Sequence, residues 1–550
     1  MKKILYVFGG PDIHPTEAAG KVLAEMLAAD GRFSLEMTDD FDVFARLSND
    51  TYAAVVVFTT RCVDALTPER EKGLLGFVRN GGGFVGVHSA IGSFRASRPY
   101  LEMLNGEFLS HPELTDVPVT ITNHEHYMTK RVPDFTVPDE VFHLQNFDPA
   151  KCTVLAQTTW QGKAIPLAYA REYGLGRVAY LALGHDLRTW KHPKFLKLLL
   201  RGIAWSAGAE LPARTIRCGV LGYGPAFNMG KGHAGWINAI PGLQTIAMCD
   251  TNPERVEAAR QELPDLQGYF TSIDEMLAMP ELDLVVNILP HNLHAPMTLK
   301  ALDAGKHVVL EKPFCITVEE ANSMIDTARA RGLMLSLFHN RRWDGDYQTI
   351  RDLIDRGLIG EPFHIECQQG GYHAPGFWWR SDKTISGGVM YDWGAHFLDW
   401  ILNMVPSRVT QVMGDFQKRV WHAVSNEDHG QVYIRFANGA TAEYLTSSIA
   451  ALSGPKWRIM GTQGAIELAH GSNEIQLVSY TSGVRLDSTV KVTLPGYGDT
   501  QYYRNVADHL LLGEELAVKP EQARRVIGVI DAGQRSSVQG ESVAPAPGCE

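Results

Sequence analysis

One local pattern occurs twice in this chain and limits what it can fold into. Lys3-Ile4-Leu5-Tyr6-Val7-Phe8-Gly9-Gly10 stands at the start, and Ile216-Arg217-Cys218-Gly219-Val220-Leu221-Gly222-Tyr223-Gly224 follows residue 210. An apolar run ending in glycine marks a buried parallel strand that feeds a tight turn into a helix. Two such starts imply two open α/β sheets. Between them, Ser206-Ala207-Gly208-Ala209-Glu210-Leu211-Pro212-Ala213-Arg214 has small residues, a proline and no apolar periodicity, which reads as a linker. At roughly 150 residues per domain, 550 residues allow three to four domains. We divide the chain into 1–208, a linker at 209–214, 215–335 and 336–550.

The first part alternates strand candidates at 4–8, 33–37, 53–58, 83–88, 117–122, 153–158 and 176–183 with helix candidates at 16–29, 67–79 and 193–205. That alternation predicts a mostly parallel sheet covered by helices. The same texture resumes after residue 214. Past residue 335 the period changes to two, as in Phe363-His364-Ile365-Glu366-Cys367 and Val432-Tyr433-Ile434-Arg435-Phe436, which predicts antiparallel strands with one covered face. A helix is expected over 388–403. The fold class is therefore α/β throughout: a flavodoxin-like or amidotransferase-like domain, a Rossmann-type domain, and an α/β domain with an open, mostly antiparallel sheet.

A net charge of −11 argues against nucleic acid as a partner. No apolar run reaches the ~18 residues of a membrane span. The run after Met1-Lys2-Lys3 stops at Gly9-Gly10 and reads as a first strand, not a signal peptide. Seven scattered cysteines without a C-x-x-C favour reduced thiols in a cytoplasm.

Gly222-x-Gly224 follows a strand and precedes a helix, where glycines let a pyrophosphate approach the backbone. The usual third glycine position holds Phe227, followed by Asn228, and Gly230 comes three residues later. We read a dinucleotide loop with three inserted residues. The next strand, Leu243 to Cys249, ends at Asp250, which can accept the ribose hydroxyls of NAD and repel the 2′-phosphate of NADP. Asp250 lies further from Gly222 than the usual ~20 residues, and the insertion accounts for part of this. No arginine follows at Thr251-Asn252, so NAD is the expected cofactor.

Downstream, Pro290-His291-Asn292-Leu293-His294 follows an apolar strand ending in Leu289. Then comes Ala304-Gly305-Lys306-His307-Val308-Val309-Leu310-Glu311-Lys312-Pro313. This order closely resembles the Gfo/Idh/MocA oxidoreductases. Asn340-Arg341-Arg342 and Ser386-Gly387-Gly388-Val389-Met390-Tyr391-Asp392-Trp393-Gly394-Ala395-His396 fit as well, so the resemblance covers about 215–540. It implies Lys312, Asp392 and His396 as catalytic residues. It implies cofactor contacts at Gly222, Tyr223, Gly224, Phe227, Asn228, Asp250, Leu289, Pro290, His291, His294, Glu311 and Lys312. Asn340, Arg341, Trp379, Arg380, Asp392 and His396 would meet the substrate, and the family often has the Lys–Pro bond cis.

These residue types suit the reaction. Oxidising an alcohol sends hydride to a nicotinamide and needs a base for the hydroxyl proton. His396 has the right unperturbed pKa, and Lys312 can stabilise or relay the alkoxide proton. Asp392 and His396, at i and i+4, are expected on one helix face. Asp399 is read as supporting or structural, Trp378-Trp379-Arg380 as a sugar contact or core, and Cys315 as packing.

In the first domain, Gly81-Gly82-Gly83-Phe84-Val85-Gly86-Val87-His88-Ser89 and Gly174 to Asp186, with Asp139-Glu140-x-x-His143 between, resemble the ThuA (trehalose-utilisation) family, with its class I amidotransferase-like sheet. Amidotransferases carry a nucleophilic cysteine at the turn occupied here by His88-Ser89, so glutamine hydrolysis is not expected. His88, Ser89, Glu140, His143 and His185 form a possible site: a polar sugar pocket, with or without a metal, or hydrogen-bonded structural histidines. Spacing does not demonstrate metal ligation, and no metal is assigned.

The leading expectation is an NAD-dependent dehydrogenase oxidising a ring hydroxyl, at C3, of a sugar, glycoside or cyclitol. The alternatives are an NAD-dependent glycosidase working by transient C3 oxidation, elimination and re-reduction, and a non-catalytic NAD/sugar sensor. The expected partners are a small carbohydrate and further copies of the chain, as a dimer or tetramer.

Overall fold

The computed structural model describes all residues except 12, 61, 63–65, 212–213 and 493–497, so part of the expected linker lies outside the described residues. The chain divides into two compact units, Met1–Pro212 and Ala213–Glu550.

The first unit is built on a nine-stranded sheet. Its spatial order is Phe33–Thr38, Lys2–Gly9, Ala54–Thr59, Gly83–Val87, Gly176–Leu181, Lys163–Tyr173, Thr153–Trp160, Thr115–Ile121 and Phe135–Asp139. The first five strands are parallel. The continuous burial of Ala54–Thr59 and Gly83–Val87 reflects helix cover on both faces, and Thr16–Asp30, Pro68–Arg79 and Pro193–Ser206 are the helices expected from the sequence. The last four strands join antiparallel. The sheet is thus parallel over five of its nine strands, and the antiparallel four are the part that the alternation did not predict.

The second unit begins with a six-stranded, all-parallel sheet. Ile216–Leu221 and Leu284–Asn287 are its central pair; Leu243–Cys249 and Gly268–Phe270 extend one side, His307–Leu310 and Leu335–Leu337 the other. This is the doubly wound order, with its switch point beside Ile216–Leu221. An eight-stranded sheet follows, antiparallel except where Pro362–Gly370 runs parallel to Thr441–Ser447. The helix Pro520–Gln539 packs against both Val409–Gln417 of this sheet and the helix Val318–Arg331. One apolar core thus runs from Ile216 to Cys549.

The helix expected over 388–403 spans only Gly394–Met404. Gly387 and Gly388 hold φ of 87° and 124°, which side chains rarely adopt, so the chain turns there before the helix starts.

Candidate active site

The dinucleotide crevice forms at the carboxyl ends of the six-stranded sheet. Gly222 sits at φ 107°, and a Cβ there would stand 3.1 Å from the Ile288 carbonyl oxygen and 3.4 Å from the Leu289 side chain. Gly230, on the helix Met229–Asn238, leaves even less room: its Cβ would lie 2.6 Å from the Tyr223 ring and 2.8 Å from the Gly222 carbonyl oxygen. This is the close helix–strand packing that a third fingerprint glycine serves, so the inserted-loop reading has a steric basis. Phe227 and Asn228 absorb the insertion with φ of 61° and 50°, and Phe227 is largely exposed. Gly224 would meet nothing within 4 Å. Asp250 accepts from the backbone N–H groups of Tyr223 (2.7 Å) and Asn252 (2.9 Å), which fixes its carboxylate at the end of its strand. Arg255 donates to the Tyr223 carbonyl at 2.8 Å. The open approach at Gly224 and the placed acid suit a dinucleotide.

Lys312 follows the strand His307–Leu310, and its bond to Pro313 is cis. Its Nζ donates to Asp392 Oδ1 at 2.7 Å, and Arg380 Nη1 donates to the same oxygen at 2.7 Å. Burial works to raise the Asp392 carboxyl, but Lys312 and Arg380 outweigh it and hold it at about 2. Asp392 lies in the turn before the helix that carries His396, so the two do not share a helix face as expected. His396 is buried, and its Nδ1 has no hydrogen-bond partner among the described residues. Burial, then the charge of Lys312, keep its pKa well below the ordinary imidazole value.

Asp392 and Arg380 line a cavity of 400 Å³ together with His291, Trp378, Trp393, His373, Gln369, Asn426 and Glu427. Lys312 and His396 stand behind this lining. The Arg380 guanidinium lies over Trp379 at 4.9 Å, and Trp379 meets the His291 ring edge-on. His291 donates from or accepts at Nδ1 only against the Ser386 carbonyl (2.8 Å), which makes it a donor there. His294 is buried between the Pro313 and Leu289 carbonyls, where it braces the turns after two strands. Pro290 precedes the short helical turn His291–Leu293. Glu311 accepts from the Lys312 N–H at 2.8 Å and faces His233, which meets Tyr503. Asn340 donates to Asp499 at 2.6 Å, and Arg341 lies over Trp393 at 5.4 Å while pairing with Asp344. Asp399 is held in a two-point ion pair by buried Arg342, a structural tie. Gln369, His373, Asn426 and Glu427 were not singled out from the sequence: they come from the end of the strand Pro362–Gly370 and from loops that carry no motif.

In the first unit, His88, Glu140 and His185 converge with His14, a residue the sequence reading passed over. His88 takes φ 46° at the turn after Gly83–Val87. Ser89 donates to the Thr59 carbonyl at 2.7 Å, not to a histidine. His143 pairs with Ser110 in a separate two-stranded sheet.

Residues 216–339 match the oxidoreductase family with an NAD-binding Rossmann fold, and 347–467 match the Gfo/Idh/MocA C-terminal domain. Residues 3–206 match ThuA, trehalose utilisation. The chain is a fusion of a ThuA-like domain with a Gfo/Idh/MocA oxidoreductase. A scyllo-inositol 2-dehydrogenase (NADP⁺) of Bacillus subtilis is 26% identical over 60% of this chain and 96% of its own length. The NAD⁺-dependent scyllo-inositol 2-dehydrogenase of the same organism is 27% identical over 46% and 73%. An NAD-binding protein from Listeria innocua superposes with a TM-score of 0.55 at 29% identity, over 60% of this chain and 97% of that one. All seven cysteines are free, and no described helix is long and apolar enough to cross a membrane.

Proposed function

We propose that the oxidoreductase unit oxidises a ring hydroxyl, at C3, of a sugar, glycoside or cyclitol, with NAD preferred over NADP. The observation that carries this reading is the contact between Lys312 and Asp392. It joins the carboxyl end of a dinucleotide-sheet strand to a cavity walled by indoles and polar side chains. Trp378 and Trp393 suit the C–H face of a sugar ring, and Arg380, His373, Asn426 and Glu427 suit its hydroxyls. Bound NAD supplies the hydride acceptor. Lys312, Asp392 and His396 are the proposed catalytic residues. The Lys312 ammonium stabilises the alkoxide, Asp392, itself bound by Arg380, holds that ammonium in place, and His396, neutral at physiological pH, receives the proton.

The test is a sugar and cyclitol panel with NAD, with the position of the new carbonyl established in the product. Steady NADH accumulation with a C3 ketone supports the reading. A burst of reduction without accumulation, with the aglycone released, favours redox-assisted glycoside cleavage.

For assembly we propose the outer face of the eight-stranded sheet, where Met413, Tyr433, Glu443, Glu366, Arg458 and Glu467 form one cross-strand row. Light scattering on Arg458→Glu, set against the unsubstituted chain, tests it: a variant with the same mass in solution removes the support.

A further inference from the structure

Four loops of the first unit place one metal-binding chemistry at one point. His14 follows the first strand, His88 the strand Gly83–Val87, Glu140 the strand Phe135–Asp139, and His185 the strand Gly176–Leu181. One ligand atom from each lies within 4.8 Å of the others. The rings of His14 and His88 stand 4.7 Å apart at 86°, those of His14 and His185 5.0 Å apart at 90°, and those of His88 and His185 5.7 Å apart at 77°. Three imidazoles thus turn their edges towards one another instead of stacking.

The tautomer of His88 is set by its surroundings. Its Nδ1 lies 2.7 Å from the Ala182 carbonyl, which can only accept, so Nδ1 carries the proton. The Nε2 lone pair then points inwards. The residue is 0% exposed, and this nitrogen has no hydrogen-bond partner among the described residues. It faces Glu140 Oε2 at 3.5 Å, and His185 Nδ1 faces Glu140 Oε1 at 3.3 Å. A nitrogen lone pair aimed at a carboxylate, as at His88, is unfavourable unless a proton or a cation lies between them. His14 Nδ1 meets Thr60 Oγ1 at 2.9 Å, which leaves its Nε2 available.

The carrying turns are braced from behind, as metal ligands usually are. Asp139, wholly buried, accepts from the backbone N–H groups of Glu140 (2.8 Å) and Gly184 (2.8 Å) and from the Thr189 hydroxyl (2.6 Å). The site is not sealed. His14 lines a cleft of 530 Å³ with Phe8, Gly9 and Gly10, and the His185 side chain is 21% exposed.

We propose that His14, His88, Glu140 and His185 bind a divalent first-row transition metal and leave a coordination position open to this cleft for an oxygen ligand. Three imidazoles and one carboxylate are a donor set for Zn²⁺, Fe²⁺, Co²⁺ or Ni²⁺, not for Ca²⁺ or Mg²⁺. An accessible position is the mark of a site that handles a ligand, as opposed to a closed structural one. Ketones with a neighbouring hydroxyl are ligands of this class. The product proposed for the other unit is one of them; that link rests on the proposed function, whereas the metal site does not.

The experiment uses the full chain, stripped with a chelator, dialysed and titrated with Co²⁺. Visible ligand-field bands should appear and saturate at about one ion per chain, and Zn²⁺ should abolish them. His14→Ala/His185→Ala should lose the bands or weaken Co²⁺ binding at least ~10-fold, with its NAD affinity unchanged. Should that variant not fold, the melting temperature of the wild-type chain decides: Zn²⁺ should raise it. Absent bands, equal bands in the variant, or an unmoved melting temperature would overturn the site. With Co²⁺ bound, 1,3-dihydroxyacetone should shift the bands; unshifted bands would overturn the open position.

Discussion

Lys312 and Asp392, 80 residues apart in sequence, meet at 2.7 Å where the dinucleotide sheet ends and the substrate cavity begins. The contact presents the lysine ammonium at a fixed point, because Asp392 also accepts from Arg380. Lys312→Met should leave NAD binding largely intact, since the pyrophosphate is held elsewhere. It should lower single-turnover NAD reduction by at least ~10²-fold, the low end for a positioned proton-transfer group. Reduction at the wild-type rate would remove Lys312 from the chemistry. Asp392→Asn should fall between the two, because the ammonium remains but loses a charged anchor.

Asp250 addresses the cofactor. Removing its carboxylate takes away both a ribose acceptor and the charge that repels a 2′-phosphate, and Arg255 nearby would then face that phosphate unopposed. Asp250→Ala should bind NAD more weakly and discriminate less against NADP in fluorescence titrations. An unchanged preference would refute the ribose assignment.

The sequence shows the parts of this molecule whose backbone geometry dictates residue type. Gly222 is legible because its φ of 107° disfavours any side chain, and Gly230 because a Cβ there would collide with neighbouring atoms. The central parallel strands are legible because both faces are buried, so Val55 to Phe58 and Leu284 to Val286 read as unbroken apolar runs. The turn at Asp392 reads as part of the helix expected over 388–403, while the positive φ angles of Gly387 and Gly388 that delay the helix become visible only in three dimensions. His373, Asn426 and Glu427 left no trace, since a cavity wall assembled from loops has no period. His14 could have been found by a positional rule. Like His88 and His185, it falls just past the carboxyl end of a parallel strand, where open α/β sheets gather their ligands.

Gly230→Ala tests the reading of the inserted loop. A methyl group 2.6 Å from the Tyr223 ring and 2.8 Å from the Gly222 carbonyl must push the helix from the strand. Overpacking of this kind costs about 1–3 kcal/mol. The variant should melt at a lower temperature and bind NAD more weakly, because the shift moves the loop that meets the pyrophosphate. Gly232→Ala, two residues on, would meet only the side chain of Trp236, at 3.2 Å, and should cost less. Equal effects at both positions would count against Gly230 as the third fingerprint glycine.

The last prediction concerns pH. His396 is buried beside Lys312, and burial first, then that charge, depress its pKa well below the ordinary value. A base with a lowered pKa is already neutral at physiological pH. The acid limb of kcat/KM should therefore lie well below ~6.5, the unperturbed imidazole value. The same shift fixes a sign for stability. The folded state favours neutral His396, and below ~6.5 the unfolded chain binds a proton that the folded one refuses. The stability contributed by this residue is complete above the unfolded pKa and is lost as the pH falls towards the folded one. His396→Gln, with no group to titrate, should lose less stability than the wild type between pH 7 and pH 5 in parallel denaturant titrations. It should also reduce NAD at least ~10²-fold more slowly with the sugar that the wild type oxidises. An acid limb near 6.5 in the wild type would show that a different, solvent-exposed group takes the proton, and His396 would then be part of the core behind Trp393.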